Sequence, residues 1–207
     1  MRVTAEIKAA TRRRIVEVSR QLFATRGFEA STTRDIADAA GIASGTLFNY
    51  FTTKEAILGS LAFDALSTAQ REFEEQDAPA GSFEEALFGL VAAGLRKLKP
   101  LRKHLPVLLE ASLSPLAAAP ADDDGSLRVE HLEAVTRLAK RHGLGELSGL
   151  ALQMYWALYI GLLMFWANDS SPKQENTLAL LDSSLAMFTG WLQPQENRWP
   201  EDAKGEA

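Results

Sequence analysis

Between Thr32 and Leu58 the chain reads TTRDIADAAGIASGTLFNYFTTKEAIL, a run of 27 residues holding three groups that start helices and one glycine placed to end one. That spacing leaves room for two short helices, a tight turn between them and the beginning of a third. Thr32 or Thr33 can cap a helix starting at Arg34, with Asp35 near its positive end. Ile36 and Ala37 to Ala40 give that helix an apolar side, Gly41 ends it, and Ile42 packs inward from the turn. Ser44 is the expected cap of the second helix. At 100° per residue, Leu47 and Phe51 of that helix face inward, Gly45, Phe48 and Asn49 face outward, and Thr46 and Tyr50 occupy a flank. Thr52 or Thr53 then opens a long helix at Lys54, whose apolar residues Ile57, Leu58, Leu61, Leu66 and Phe73 continue without a breaker to Asp77.

An outward phenyl ring and an amide, side by side on a helix that nothing in the motif can cover, call for a partner. The major groove of DNA supplies one. Asparagine pairs with N6 and N7 of adenine, an aromatic ring touches the thymine methyl, and Gly45 lets backbone come close. Thr46 and Tyr50 are placed for phosphates on the groove wall, and the first amides of the third helix together with Lys54 for another. A net charge of −5 argues against a polyanion partner, but the charge is unevenly spread: Met1 to Leu58 carries nine Lys/Arg against six Asp/Glu, leaving 13 against 21 in the rest. Arg12, Arg13, Arg14, Arg20, Arg26 and Arg34 put the basic surplus at the end that holds the motif.

The flanking sequence is helical in pattern. Ile15, Val18, Leu22 and Phe23 form one stripe of a first helix that Gly27 can terminate. After a break at DAPAG, Ser82 and Glu85 form a capping box ahead of Phe83, Leu87, Leu90 and Val91, and Pro100 closes that helix. Pro106 begins or kinks a short helix, and Ser114 to Ser126, with two prolines and three aspartates, is the best loop candidate. Leu132, Val135, Leu138 and Ala139 mark a further helix ending in Lys140, Arg141 and His142 before Gly143. The last helix is expected to start with Ser171 as N-cap, Pro172 at its first position and Gln174 reaching back. Its residues Leu178, Leu181, Leu185, Phe188 and Leu192 form a 3,4,3,4 seam that wants a facing helix.

From Leu147 to Asn168 no residue is charged, and the run approaches the roughly 20 residues that span a bilayer. Glu146 and Asp169 flank it without a Lys/Arg anchor, and Ser148 and Gln153 interrupt it, so burial within protein is the expectation rather than a membrane. Met1 to Arg14 is charged and lacks the apolar core of a secretory signal, which points to the cytoplasm. The absence of cysteine removes disulfides and thiolate metal sites, and no cofactor is expected. His131 and Glu133 form an H-x-E without the cysteines that deaminase zinc requires. GIASGT and GELSGL miss the G-x-S-x-G spacing, and HGLGELSG misses G-x-G-x-x-G, so the chain is not expected to be an enzyme.

The run TRRRIVEVSRQLFATRGFEASTTRDIADAAGIASGTLFNYFTTKEAIL, Thr11 to Leu58, with its GF, TT..IA..AGI..GTL and YF..KE groups, resembles the tetracycline-repressor (TetR) family of bacterial transcription regulators. Beyond Leu58 the likeness is one of helical style. The resemblance implies an all-α chain: a three-helix DNA-binding head at residues 1–58, a linking helix, a ligand-binding and dimerisation domain at 59–194, and a disordered tail at 195–207. It implies base-edge contacts from Arg34, Ser44, Gly45, Phe48 and Asn49 and phosphate contacts from Thr33, Thr46, Tyr50 and Lys54. Phe48 stands where the family more often has tyrosine, and Ala43 where polar residues are common, which bears on the operator sequence. The expected function is a repressor that leaves a palindromic double-stranded operator on binding a small, apolar effector; an all-helical dimeric interaction module without DNA readout is the alternative. Candidate pocket residues are Phe88, Val91, Leu105, Leu109, Met154, Tyr155 and Tyr159. Candidate homodimer contacts are Leu178, Leu181, Leu185, Phe188 and Leu192, with Trp156 and Leu163.

Overall fold

The computed structural model of the chain describes residues 5–75, 81–113 and 127–192. These fold into α1 (Ala5–Thr25), α2 (Thr33–Ala40), α3 (Ser44–Phe48), α4 (Lys54–Glu75), α5 (Phe83–Leu98), α6 (Leu105–Leu113), α7 (Leu127–Arg141), α8 (Gly149–Asn168) and α9 (Glu175–Leu192), with 3-10 turns at Lys99–His104 and Pro172–Gln174. The described residues are all-helical. The loop expected at Ser114 to Ser126 and the tail from 195 lie outside the described residues.

Two apolar interiors organise the helices. The first gathers Ile15, Val16, Phe23, Phe28, Ile36, Ala37, Ala40, Leu47, Phe51, Ile57, Leu58 and Leu61 from α1 to the start of α4. The second begins at Ala62 and collects α5 to α9 around Leu87, Val91, Leu98, Val135, Tyr155, Trp166 and Phe188. The boundary falls between Leu61 and Ala62, inside one unbroken helix. Along α1 the buried set is Ile15, Val16, Ser19 and Phe23, with Val18 and Leu22 only half-buried. Ser19 is tolerated inside because its hydroxyl donates to the Ile15 carbonyl at 2.7 Å.

Local signals set most element ends. Thr32 caps α2, accepting from the Asp35 amide while Asp35 reaches back to the Thr32 amide at 2.9 Å, a closed capping box. Gly41 ends α2 at φ 64, the left-handed region that favours glycine. Ser82 and Glu85 form the second capping box, at the start of α5. α5 then lies close to α4: a Cβ on Gly89 would come within 2.8 Å of the Phe73 ring, which would have to shift to admit it. Pro100 ends α5 by leading into the 3-10 turn, and Pro106, second residue of α6, opens that helix without kinking it.

Three expectations are corrected. Ser44 does not cap α3: Ala43 holds the cap position, with no side-chain cap hydrogen bond, because the helix starts at Ser44 itself, one residue earlier than a Ser44 cap would require. Ser171, Pro172 and Gln174 do not form a capping box on α9 either. Lys173 and Gln174 turn to φ 53 and 58, the Gln174 amide oxygen accepts from the Trp166 indole at 3.2 Å, and α9 begins at Glu175. Asp169 takes over the cap, accepting from the Ser171 amide at 2.8 Å, the Thr177 amide at 3.0 Å and the Thr177 hydroxyl. The third correction concerns the α9 seam. Leu181, Leu185 and Phe188, together with Leu163 of α8, are buried within this chain, because α9 finds its facing helices in α5 and α8 of its own fold. They are core residues and are not available as subunit contacts; Leu192 and Trp156 pack against the same core.

α8 is long and apolar enough to cross a membrane by length and composition, yet Ala151, Tyr155, Tyr159, Ile160, Leu162, Leu163 and Trp166 are buried against the other helices. What α8 and α9 leave uncovered is a separate stripe. On α8 it runs through Leu150, Gln153, Ala157, Gly161, Met164 and Phe165, and on α9 through Leu178, Ser183, Ala186, Met187 and Gly190.

The Asp169 carboxyl is held well below the usual carboxylate range by its hydrogen bonds to Thr177 and Ser171. A lowered folded pKa stabilises the fold above the unfolded value, near 3.9, and that contribution disappears as pH falls through the folded value. Asp169→Asn is expected to lower Tm at neutral pH and to shrink the further fall in Tm below about pH 4; thermal melts of both proteins across that range, with identical acid slopes, would count against the cap.

Candidate nucleic-acid interface

α3 is only five residues long, and its orientation is fixed by what it buries. Leu47 is fully enclosed and Phe51, just past its end, is 4% exposed, while Phe48 is 49% exposed. Turning the helix over to hide Phe48 would uncover both inward side chains, at about 3 to 6 kcal/mol for the pair. Phe48 and the exposed Asn49 therefore point away from the head. Asn49 continues the helical path at φ −75 and ψ −13. Ser44 and Gly45 are exposed on the same approach, Thr46 is half-buried on the flank, and the half-buried Tyr50 packs its ring on the head core. Arg34 is exposed in the first turn of α2, with Thr33 half-buried beside it.

The cations of the head divide by engagement. Arg12 donates to the Ser60 hydroxyl at 3.0 Å and lies 4.6 Å over the Phe51 ring, tying α1 to α4. Arg20 pairs with Glu17, and Arg26 lies 3.6 Å from Asp35. Arg13, Arg14 and Arg34 are exposed. Lys54 is the informative case. Its ammonium donates to the Phe28 carbonyl at 2.7 Å and sits 4.1 Å from the centre of the Phe28 ring. It thus clamps the start of α4 to the loop between α1 and α2. An ammonium has three donors, so a phosphate contact from Lys54 would have to share the group with that clamp.

Lys54→Met removes a charged hydrogen bond and a cation over a ring. It is expected to destabilise the chain by about 1 to 3 kcal/mol in urea titrations; an unchanged midpoint would show that the clamp contributes nothing.

In the other half, the residues expected to line a pocket are packed into the interior. Val91, Leu105, Leu109, Tyr155 and Tyr159 are core residues, and Phe88 and Met154 pack against that core. Two cavities, neither lined by any of the seven, lie elsewhere in the fold. One, of about 10 Å³, lies where Leu66, Ser67 and Gln70 of α4 meet Leu90 of α5 and Glu130 and His131 of α7. It has space for about one water. The aromatic stripe of α8 instead builds the wall behind it: the Tyr155 hydroxyl is 3.0 Å from His131 Nε2, and the Tyr159 ring stacks on the imidazole at 4.1 Å. Burial pushes His131 down to about 4, so it is neutral near pH 7. The Ser67 hydroxyl donates to Glu130 at 2.9 Å and Arg137 bonds Glu74 at 3.1 Å, fastening α7 to α4. The second cavity, of about 250 Å³, opens between Leu147, Ser148, Trp191 and Leu192 at the far end of the helices.

A family model described as bacterial regulatory proteins, tetR family, matches residues 15–61, the stretch that closes the head core. The N-terminal head of the chain is thus similar to that of the TetR family. Over 101 residues it is 33% identical to the HTH-type transcriptional repressor KstR2 of Mycolicibacterium smegmatis, covering 49% of this chain and 48% of that one. The chain thus spans about half the length of that relative. It is also 29% identical to the HTH-type transcriptional repressor Rv3405c of Mycobacterium tuberculosis, over 72% of this chain and 73% of the other. The crystal structure of Thermus thermophilus FadR, a TetR-family repressor in complex with lauroyl-CoA, shares the fold at a TM-score of 0.66 and 22% identity, covering 91% of this chain and 98% of that one. TetR-family regulators bind DNA operators and small-molecule effectors and act as dimers.

The clamp at Lys54 and Phe28 had no counterpart in the sequence reading. The two residues are 26 apart, and no periodicity or cap links them.

Proposed function

We propose that the chain is a transcriptional repressor, working in the cytoplasm, that binds a palindromic operator as a homodimer and releases it when a small molecule binds the C-terminal helices. The observation that carries this reading is the outward presentation of Phe48 and Asn49 on a helix whose opposite side is locked by Leu47 and Phe51. Arg34, Ser44, Gly45, Phe48 and Asn49 take the base edges in this reading, and Thr33, Thr46 and Tyr50 the phosphates. Lys54 acts first as the clamp that holds the head together. The head, expected at residues 1–58, runs on in this reading to Leu61, and the regulatory part begins at Ala62, with α4 running through both.

The homodimer forms through the uncovered stripe of α8 and α9. Ala157 and Gly161 on one helix and Ser183, Ala186 and Gly190 on the other keep the centre of that stripe flat, and Leu150, Met164, Phe165 and Met187 frame it with apolar surface. The effector enters where α4, α5 and α7 meet. It must widen the small cavity there, and α4 is the wall that leads to the head. The effector is a molecule with an apolar body, a reading supported by the lauroyl-CoA held by FadR. Release follows only from a higher affinity of the effector for the arrangement unsuited to DNA.

Selection of bound genomic fragments should yield one inverted-repeat sequence, and the lack of any enriched sequence would remove this reading. On that operator, Arg34→Ala and Asn49→Ala are each expected to cost about 1 to 3 kcal/mol and to relax preference at single base pairs, whereas Thr46→Val weakens all sequences alike. Equal losses on specific and random DNA for all three would refute the assignment of base contacts.

A Cβ at Gly161 meets nothing within 4 Å inside the chain. Gly161→Glu is therefore expected to give a folded monomer in sedimentation, and a retained dimer would place the subunit contact elsewhere.

A further inference from the structure

The 3-10 turn Lys99–His104 joins two places that are distant in sequence. At one end Arg102 donates from Nε to the Trp166 carbonyl at 2.7 Å and from a terminal nitrogen to the Asp169 carbonyl, with its guanidinium 5.6 Å over the Trp166 ring. These carbonyls lie at the end of α8, the negative pole that attracts a cation; that of Trp166 also accepts from the Asp169 amide at 3.2 Å. Asp169 in turn caps α9 through Thr177. One arginine therefore ties the turn to the corner between α8 and α9, the pair of helices whose outer stripe is uncovered.

Two residues along, the His104 ring lies 5.2 Å from Phe28 in the head. Phe28 is the ring that also meets Phe23 at 5.1 Å and carries Lys54. Leu101 and Leu108 flank the contact and pack on both interiors. Between Arg102 and His104 the chain advances only about 4 Å at 3-10 geometry, and Pro100 fixes the backbone before it. A body attached by α4 alone can swing about that helix. A second attachment off its axis fixes the angle.

We propose that Arg102 and His104 are positioning residues for operator binding: the turn that carries them is a strut between the α8–α9 corner and the head, and it sets the separation of the two recognition helices in the dimer. Neither residue touches DNA. The inference rests on the dimeric operator-binding reading above. In a dimer whose seam lies on α8 and α9, a fixed angle from that seam to each head becomes a fixed distance between α3 and its copy. Operator half-sites must match that distance, about one helical turn of DNA or a multiple of it.

The test uses the full-length chain and a series of operators in which the centre is lengthened or shortened by one or two base pairs. The wild type is expected to show a sharp optimum. Arg102→Gln and His104→Ala are each expected to lose about tenfold in affinity at that optimum, within the range of coupling between distant sites, and much less at the altered spacings. The spacing profile then flattens while binding to a duplex with a single half-site is unchanged. The double variant is expected to lose no more than either single one, because both act through one strut. Arg102→Lys, which keeps one contact to the α8 end, is expected to recover part of the optimum. Should Arg102→Gln fail to fold, the half-buried His104→Ala carries the same comparison. Equal losses at every spacing, or an unaltered profile in both variants, would overturn the strut. A wild type that binds operator with no spacing preference would overturn the dimeric reading beneath it, and the strut with it.

Discussion

One unbroken helix belongs to both apolar interiors of this chain. Ile57, Leu58 and Leu61 of α4 complete the head, and from Ala62 onward the same helix builds the regulatory half. Because packed interiors resist small deformations, neither half can shift α4 without the other responding. The close approach at Gly89 and the links Ser67–Glu130 and Arg137–Glu74 hold the far part of α4 to α5 and α7. The Arg12–Ser60 bond and the Lys54–Phe28 clamp hold its near part to α1 and the loop that follows. The small cavity beside His131 sits on the far part of α4, next to the Ser67–Glu130 tie, whose two residues line it. A molecule forced into it has few directions in which to push.

Charge supports this arrangement more than it defines it. Some acidic residues of the C-terminal half pair across elements, as in Lys97–Glu72 and Arg137–Glu74, and Lys140–Glu146 ties α7 to the segment that follows it. Exposed pairs of this kind contribute about 1 kcal/mol or less each. Their value here lies in where they sit, at the edges of α4 and α7. The head's cations are more divided in their duties, with Arg12 and Lys54 occupied in holding the head closed and Arg13, Arg14 and Arg34 facing outward.

What could be read from the sequence was what depends on near neighbours. Thr32 with Asp35, Gly41, Ser82 with Glu85 and the in-and-out division of Leu47, Phe48 and Phe51 are all decided within four residues, and the structure shows each in place. The errors arose where a pattern shows that a face is apolar without showing what covers it. Leu181, Leu185 and Phe188 do form a seam, but α5 and α8 of the same chain close it. Tyr155 and Tyr159 are aromatic and central, yet they serve as wall around His131. Ser44 carries good capping chemistry but lies inside α3, and Ser171 shares the start of α9 with Asp169, accepting from the Asn176 amide at 3.1 Å while Asp169 accepts from that of Thr177. Arg102 was illegible for a simpler reason: its partners lie 64 and 67 residues away.

The position of Trp166 has a practical side. Trp156, Trp166, Trp191 and Trp199 account for every indole in the sequence, and none precedes residue 156. Ultraviolet emission excited at the indole band therefore arises wholly outside the head. With its ring beneath a guanidinium and its N–H held by Gln174, Trp166 is a built-in optical probe of the corner where α8 turns into α9.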